Sequence, residues 1–121
     1  MTIAVSADTN PDASGRPSPV VVRVYQLRGD GAFNGADYFP LYDNEKMVLG
    51  EELVSRDEFV MNPGERRSLD VTLAADTRFV GAIAAFRDIR NAQWRAVVAA
   101  PKTGLTVQVE RARIGVAAAG N

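Results

Sequence analysis

The sequence predicts an all-β fold, a two-sheet antiparallel β-sandwich of about eight strands. Three observations support this prediction. Apolar and polar residues alternate with a period of two through most of the chain. Turn signals recur at roughly 8–12-residue spacing, and no segment keeps a helical period beyond a turn or two. A closed β-barrel is the main competing architecture, because a similar series of short strands can also form one.

The composition is that of an ordinary globular protein. The chain has 121 residues, of which 46% are hydrophobic and 24% are charged, and we expect one domain over residues 1–121. The net charge of −1 provides no general attraction to nucleic acid or anionic lipid. No stretch reaches the ~18 apolar residues of a membrane-spanning helix.

Two predicted strands open the chain, and a long polar loop joins them. Residues 2–7 alternate, with Ile3 and Val5 on one face, and "VVVRVYQL" (20–27) is rich in β-branched and aromatic residues. Between them lies "NPDASGRPSP" (10–19), which has three prolines, one glycine and no large apolar side chain. A two-residue turn is enough to join two antiparallel strands. The length of this loop therefore needs another explanation.

An irregular helical insertion is predicted around residues 33–49, after "RGDG" (28–31) ends the second strand. Its aromatic residues lie close to helical spacing, but Gly35 and Pro40 limit any helix to a turn or two. Gly50 would end the last turn. We expect the aromatic side chains to cap one end of the core; they are Phe33, Tyr38, Phe39 and Tyr42.

From residue 51 onward the pattern is β throughout. Turns such as "NPGE" (62–65) separate the strands, with Pro63 presetting φ and Gly64 supplying a positive φ. The predicted strands are residues 52–61, 66–73, 78–87, 94–100, 105–111 and 113–117. The last residues, "AAGN" (118–121), are predicted to be a frayed tail.

The residue types argue against catalysis. The chain contains neither Cys nor His, which removes disulfides, Cys/His zinc sites, cysteine nucleophiles and Ser-His-Asp triads. No Ser-x-x-Lys spacing and no Gly-rich phosphate loop occurs. The carboxylate pairs Glu51–Glu52 and Asp57–Glu58 would point to opposite faces of a strand, so we interpret them as surface charge. We predict a non-enzymatic protein that needs no cofactor.

One spacing in the polar loop is typical of a calcium site. Four oxygen-bearing residues occupy alternate positions, as the first four ligands of an EF-hand loop do: Asp8, Asn10, Asp12 and Ser14. The motif then requires Gly and Glu where Ala13 and Pro19 stand, and it requires flanking helices. We therefore predict no metal site and interpret these residues as formers of Asx turns.

The basic residues do not indicate nucleic-acid binding. Twelve of the fourteen are Arg, and they are spread over several strands. Residues 86–95 place Arg87, Arg90 and Arg95 around Trp94, as in a stacking platform for bases. At a net charge of −1 this signal is weak. We predict a structural role for Trp94, in the core or under an Arg stem.

Several stretches, taken in order, resemble the TssJ (SciN-like) family of type VI secretion outer-membrane lipoproteins. They are "PVVVRVYQL", "AFNGADYFPLYDN", "LGEEL", "NPGE" and "AFRDIRNAQWR". The last contains Phe86–Arg87 and Trp94–Arg95, which match an aromatic-Arg pair followed by Trp-Arg in the family. The resemblance runs from about residue 3 to residue 116. It implies a transthyretin-like β-sandwich with a helical insertion, in agreement with the pattern of strands.

The resemblance also implies a location and partners. Family members are anchored to the outer membrane by acyl chains on an N-terminal Cys and face the periplasm. They bind the periplasmic C-terminal domain of TssM, which assembles a trans-envelope complex with TssL. This sequence has no Cys, so we expect the signal peptide and lipobox Cys to lie upstream of Met1; an atypical member without the anchor is the alternative. We expect neither a nucleic acid nor a small-molecule substrate.

In the family, the loop between the first two strands contacts TssM. The resemblance therefore assigns partner binding to Asp8, Thr9, Asn10, Pro11, Asp12, Ala13, Ser14, Gly15, Arg16, Pro17 and Ser18. A Pro-rich loop loses less entropy on binding than a Gly/Ser loop of equal length. Two alternatives remain open at this point. The loop could merely cross between sheets, or the protein could bind a small ligand or peptide in a pocket at the aromatic insertion.

Overall fold

The computed structural model describes residues 1–118, whose strands form two four-stranded sheets packed face to face. The strands are β1 (Thr2–Val5), β2 (Val20–Leu27), β3 (Leu53–Met61), β4 (Arg66–Ser68), β5 (Phe79–Ala84), β6 (Arg95–Ala99), β7 (Leu105–Val109) and β8 (Ile114–Ala118). The first sheet has the order β4-β1-β7-β8, and the second has the order β3-β2-β5-β6. The predicted sandwich is therefore confirmed. Of the predicted tail (118–121), Ala118 ends β8, and residues 119–121 lie outside the described residues.

Neighbouring strands are antiparallel except for β1 and β7, which are parallel. This exception follows from the path of the chain. After β1, residues 6–19 carry the chain to the second sheet, where β2 pairs with β3 and β5. β1 and β2 are therefore not a hairpin, and β1 pairs with strands that lie far away in sequence.

Strand β2 is buried on both of its faces. Val22 and Val24 point into the main core between the two sheets, whereas Tyr25 and Leu27 contribute to a second core on the outer face of the second sheet. These four side chains are at most 5% exposed. A sheet that is apolar on both faces needs a covering layer on its outer side.

The helical insertion forms that covering layer. It consists of α1 (Gly31–Gly35), α2 (Tyr38–Asp43), α3 (Glu45–Leu49) and a 3₁₀ turn at Gly50–Glu52. The expectation that its aromatics cap one end of the core was wrong. The insertion lies over the outer face of the second sheet because the outward side chains of β2 and β5 are themselves apolar. Gly50 ends α3 with a φ of +56°, as the sequence predicted.

The insertion packs against the backbone of the sheet at Gly81 in β5. The Phe33 ring of α1 is fully buried there and meets the Tyr25 ring edge-on at 5.7 Å between centroids. A Cβ atom on residue 81 would lie 2.8 Å from Cζ of Phe33. Glycine at this position therefore allows the Phe33 ring to lie directly on the sheet backbone.

Ion pairs join the insertion to the outer face of the second sheet. One carboxylate oxygen of Glu45 accepts a 2.8 Å hydrogen bond from the Tyr25 hydroxyl, and the other pairs with Nε of Arg56 at 2.8 Å. Arg23 donates to the Tyr42 carbonyl and lies over the Tyr42 ring at 3.8 Å. Burial raises the pKa of the Tyr25 hydroxyl, and its bond to Glu45 raises that pKa further.

Several strand predictions were too long, since β1, β5 and β7 end at Val5, Ala84 and Val109, two or three residues before the predicted ends. The largest difference concerns β4. Residues 66–73 were expected to form one strand, but β4 ends at Ser68. Beyond it, the Gln26 side chain donates to the Thr72 carbonyl and accepts from the Ala74 N–H. A side chain thus satisfies the backbone groups that a strand partner would have bonded.

The prediction that Glu51 and Glu52 lie in a strand was also wrong, because both residues belong to the 3₁₀ turn before β3. Glu52 is not simply a surface charge, because its carboxylate accepts the backbone N–H of Ala32 at the start of α1.

No helix within residues 1–118 has the length and apolar character needed to cross a membrane.

The substitution Gly81→Ala is expected to destabilise the protein by about 1–3 kcal/mol, because Phe33 must move away from the added methyl group. Denaturant unfolding followed by circular dichroism measures this change. Gly115→Ala in β8 is the matched control, since a Cβ there meets no atom within 4 Å. Equal free energies of unfolding for the two variants would contradict the assigned contact.

The substitution Glu45→Gln is expected to cost about 1.5–3 kcal/mol of unfolding free energy, because the Tyr25 hydroxyl loses a charged acceptor and Arg23 and Arg56 keep only Glu58 as a carboxylate partner. Glu51→Gln, at an exposed position, serves as the control and should be near neutral. If the two variants unfold at the same denaturant concentration, Glu45 does not hold the insertion on the sheet.

Stability is expected to fall as the pH rises through the window from about 10 to about 12. Burial is the main cause, and the neighbouring Tyr42 the second cause, that raises the pKa of Tyr38 to about 12. As the pH rises, the unfolded chain therefore releases this proton before the folded chain does. The folded state then binds more protons, and the free energy of unfolding decreases with pH. Tyr38→Phe keeps the ring and should make the slope smaller, while the raised pKa of Tyr25 still contributes to it; denaturant unfolding at several pH values measures the slope. An unchanged slope would refute the contribution of Tyr38.

Candidate functional site

The connections between strands divide the sandwich into two ends. Four connections meet at one end, which we call the loop end: residues 6–19, 62–65, 85–94 and 110–113. Hydrogen bonds join them, such as Gly64 N–H to the Ser6 carbonyl at 3.1 Å and Gln93 N–H to the Ala112 carbonyl at 2.9 Å. The helical insertion, residues 69–78 and residues 100–104 connect strands from the opposite end.

The loop over residues 6–19 is fixed at its base by two buried polar residues. Thr9 is fully buried and donates its hydroxyl to the Glu110 carbonyl at 2.8 Å. Asn10 is 4% exposed; its amide NH₂ donates to the Pro19 carbonyl at 2.9 Å, and its amide oxygen accepts the Arg87 N–H at 2.8 Å. All polar atoms of the Asn10 side chain are thus used within the protein, as burial requires.

The backbone of Asn10 has a φ of +50°. Asn is the non-glycine residue that tolerates this left-handed conformation best, together with Asp. At this turn the Asn10 N–H donates to the Arg111 carbonyl at 2.9 Å. A single residue therefore joins three connections of the loop end.

Asp12 organises the tip of the loop. One of its carboxylate oxygens accepts the backbone N–H groups of Ser14 (2.8 Å) and Arg16 (2.9 Å), and the other accepts Nε of Arg16 at 3.2 Å. The backbone N–H of Arg16 is the main cause that lowers the pKa of Asp12. This is the Asx-turn geometry that the sequence predicted, and it holds for Asp12. For Asn10 the prediction was wrong, because its side chain bonds to Pro19 and to the distant Arg87.

Beyond these fixed residues, the loop presents a continuous exposed tip. The exposed residues are Ala13, Ser14, Gly15, Arg16 and Pro17. Arg16 has a side chain that is 79% exposed although it pairs with Asp12. Pro11, Asp12 and Ser18 are half-buried, and Asp8 is exposed and accepts the Ser6 hydroxyl. The eleven predicted loop residues therefore separate into a buried base and a presented tip.

The loop does cross between the two sheets, as one alternative supposed. The crossing accounts for its base, where Ser18 N–H returns to the Thr9 carbonyl at 3.1 Å. It does not account for residues 11–17, which lie between the two sides of that base and make an excursion beyond it.

The calcium-like spacing does not produce a converging set of ligands. Asn10 points into the protein, and Asp12 is occupied by the loop backbone. Within residues 1–118, no three Asp or Glu side chains are grouped in a way that could hold a metal ion.

The aromatic insertion does not assemble a pocket from its four predicted residues. Phe33 is buried in the second core, while Tyr38 stacks on Tyr42 at 5.5 Å and meets Trp94 edge-on at 5.1 Å. Phe39 is 62% exposed. A cavity of about 460 Å³ beside the insertion is lined by residues 45–46, 50 and 53–56, and none of the four aromatics contributes to its wall.

The predicted structural role of Trp94 is confirmed. Its ring packs against both cores, and the Arg95 guanidinium lies 4.5 Å from its centroid. Arg95 also donates to the carbonyls of Phe33 and Ala36, which fixes α1 on the sheet.

Sequence reasoning missed the residues outside the loop that hold its base in place. The base of the loop depends on backbone groups of Arg87, Glu110 and Arg111, which carry no local motif. No local signal marks them, because only the strand order brings these segments to the base of the loop, and the strand order was not predicted from the sequence.

Comparison with known proteins gives consistent matches over the whole described chain. A family model described as "T6SS-SciN: Type VI secretion lipoprotein, VasD, EvfM, TssJ, VC_A0113" matches residues 1–118. No curated protein sequence gives a significant match.

Solved structures share the fold. The T6SS lipoprotein TssJ1 from Pseudomonas aeruginosa is 38% identical, with a TM-score of 0.92 over 99% of this chain and 94% of that chain. A chain of the structure described as "T6SS protein TssM C-terminal domain (869-1107) from EAEC" is 28% identical (TM-score 0.82; 97% of this chain, 98% of that chain). A chain of a "Type VI membrane complex" is 27% identical (TM-score 0.83; 94% and 92%).

The match of the family model over nearly the whole chain, together with the common fold and the identity to TssJ1, leads to one conclusion. This chain belongs to the T6SS-SciN (TssJ) family of type VI secretion lipoproteins.

Proposed function

We propose that this protein binds the periplasmic C-terminal domain of TssM through the tip of its first loop. It thereby assembles the trans-envelope complex that includes TssL, from the periplasmic face of the outer membrane. It acts by binding, without catalysis or a cofactor. Membership of the family supports this role, as does the likeness to chains of structures that carry the names of TssM and of a type VI membrane complex.

The observation that carries the proposal is the combination of a fixed base and an exposed tip. Thr9 and Asn10 hold the base through long-range hydrogen bonds, and Asp12 folds the tip on itself. The tip therefore loses little conformational freedom when it is bound. A connection that only crossed between sheets would not need this internal order.

The direction of β1 also supports the proposal. The strand runs from Thr2 toward the loop end, so Met1 lies at the opposite end of the sandwich, where its ammonium group donates to the Leu69 carbonyl. A lipid anchor attached on the N-terminal side of Met1 would hold that end near the membrane. The tip would then point away from the outer membrane and into the periplasm, where TssM is expected.

Replacing residues 12–16 by the two-residue turn Asn-Gly is expected to abolish binding to the purified TssM periplasmic domain. The change removes the exposed tip and keeps Thr9 and Asn10, so thermal unfolding should stay cooperative. Isothermal titration calorimetry measures the binding, and circular dichroism measures the unfolding.

The matched control replaces residues 101–104, at the opposite end, by the same Asn-Gly turn. This variant should bind as the unmodified protein does. Unchanged affinity of the tip variant, with cooperative unfolding, would refute the assignment of partner binding to the loop.

A further inference from the structure

A cleft of about 560 Å³ lies beside the loop at the loop end. One wall is the loop itself, from Pro11 to Gly15, and the other walls come from Arg87, Asp88 and Arg111. These residues belong to three different connections, so the cleft exists only in the folded chain. It opens on the same end of the molecule as the exposed tip.

Two arginines of the cleft are fixed through their backbones, and their side chains extend into it. The Arg87 side chain acts on Asp12 by electrostatic attraction, without a direct hydrogen bond. The Arg87 N–H donates to the Asn10 side chain, and the Arg111 carbonyl accepts the Asn10 N–H. Both residues are exposed. Over residues 1–118, neither guanidinium group takes part in a hydrogen bond or an ion pair. Each one offers a planar set of donors to an acceptor from outside the chain.

The two carboxylates at the cleft are already engaged. Asp12 accepts three hydrogen bonds from Ser14 and Arg16. Both oxygens of Asp88 accept from the Asn91 side chain, at 3.1 and 3.0 Å. The donors of the cleft that have no hydrogen-bond partner among residues 1–118 are the guanidinium groups of Arg87 and Arg111, whereas both carboxylates already accept hydrogen bonds from within the chain.

A smaller recess of about 130 Å³ adjoins the cleft and shares Pro11, Asp88 and Arg111 with it. Phe86 and Ala112 give the recess an apolar floor. A polar site with free guanidinium groups thus lies directly next to a small apolar one.

We propose that this cleft receives an acidic segment of the partner, with an Asp or Glu carboxylate bound by Arg87 and Arg111. A small aliphatic side chain of the same segment occupies the adjoining recess. This inference rests on the proposed function and names the chemistry of the surface that the partner must supply. Carboxylate is the acceptor that matches paired guanidinium groups best, through charge-assisted and bidentate hydrogen bonds.

The position of the two arginines favours specific binding of a carboxylate over a general electrostatic attraction of acidic proteins. Their backbones are joined to the loop through Asn10, so the partner meets a cleft whose walls are already in place. The net charge of the whole chain is −1, so the protein as a whole does not attract an acidic partner. The cleft lining contains Asp12 and Asp88 as well as the two arginines, so recognition of a carboxylate depends on directed hydrogen bonds from the guanidinium groups rather than on an excess of positive charge.

The test uses the double variant Arg87→Gln/Arg111→Gln and the purified TssM periplasmic domain. The dissociation constant is expected to rise at least about tenfold. The affinity of the unmodified protein should also fall more steeply than that of the variant between about 50 and about 300 mM NaCl, because ion pairs at a partly open surface are screened. Calorimetric titrations at several salt concentrations measure both effects.

The control variant Arg78→Gln/Lys102→Gln removes the same two charges from exposed positions at the opposite end. It should bind as the unmodified protein does. Equal affinities of the two double variants, with the unmodified protein binding, would overturn the acidic-segment inference and leave the proposed function intact. Failure of the unmodified protein to bind TssM would overturn the proposed function, and this inference with it.

Discussion

The burial of strand β2 on both faces is the constraint on which the rest of the structure depends. Its inward valines fill the space between the sheets, and its outward Tyr25 and Leu27 must also be removed from water. The helical insertion supplies the cover. It is held there by packing at Gly81 and by the carboxylate of Glu45, which reaches Tyr25 and Arg56. One broad face of the sandwich is thereby occupied by structural contacts.

The loop end, by contrast, has an exposed tip over residues 13–17 and a cleft beside it. Asn10 joins three of the four connections there, because its side chain bonds to Arg87 and its backbone bonds to Arg111. The fourth connection is joined to the first by the hydrogen bond from Gly64 N–H to the Ser6 carbonyl. Because its polar groups are satisfied internally, Asn10 determines where the tip and the cleft walls lie without being offered to a partner itself. Arg16, Arg87 and Arg111, in contrast to the buried Asn10, are exposed.

Most elements of the fold could be predicted because their determinants are local. The alternation in 20–27 coincides with β2, and the positive φ values of Gly50 and Gly64 occur where the turn signals placed them. A strand was predicted wrongly where a side chain distant in sequence, and not the local alternation of residues, decides the backbone hydrogen bonds. Residues 69–73 alternate as a strand would, but Gln26 bonds to Thr72 and Ala74 and ends the strand early. The position of the helical insertion along the chain was predicted, but its packing on the outer face of the second sheet was not.

The sequence by itself determined the all-β class, the resemblance to a secretion lipoprotein family, the lack of Cys and His chemistry and the position of the polar loop. Periodicity, residue type and turn chemistry express these properties within a few residues. Only the tertiary structure decided which loop residues are buried and which are presented. The hydrogen bonds that fix the loop join Asn10 to Arg87 and Thr9 to Glu110, at separations of 77 and 101 residues. Such pairs come together through the packing of two sheets, and a one-dimensional pattern carries no signal for them.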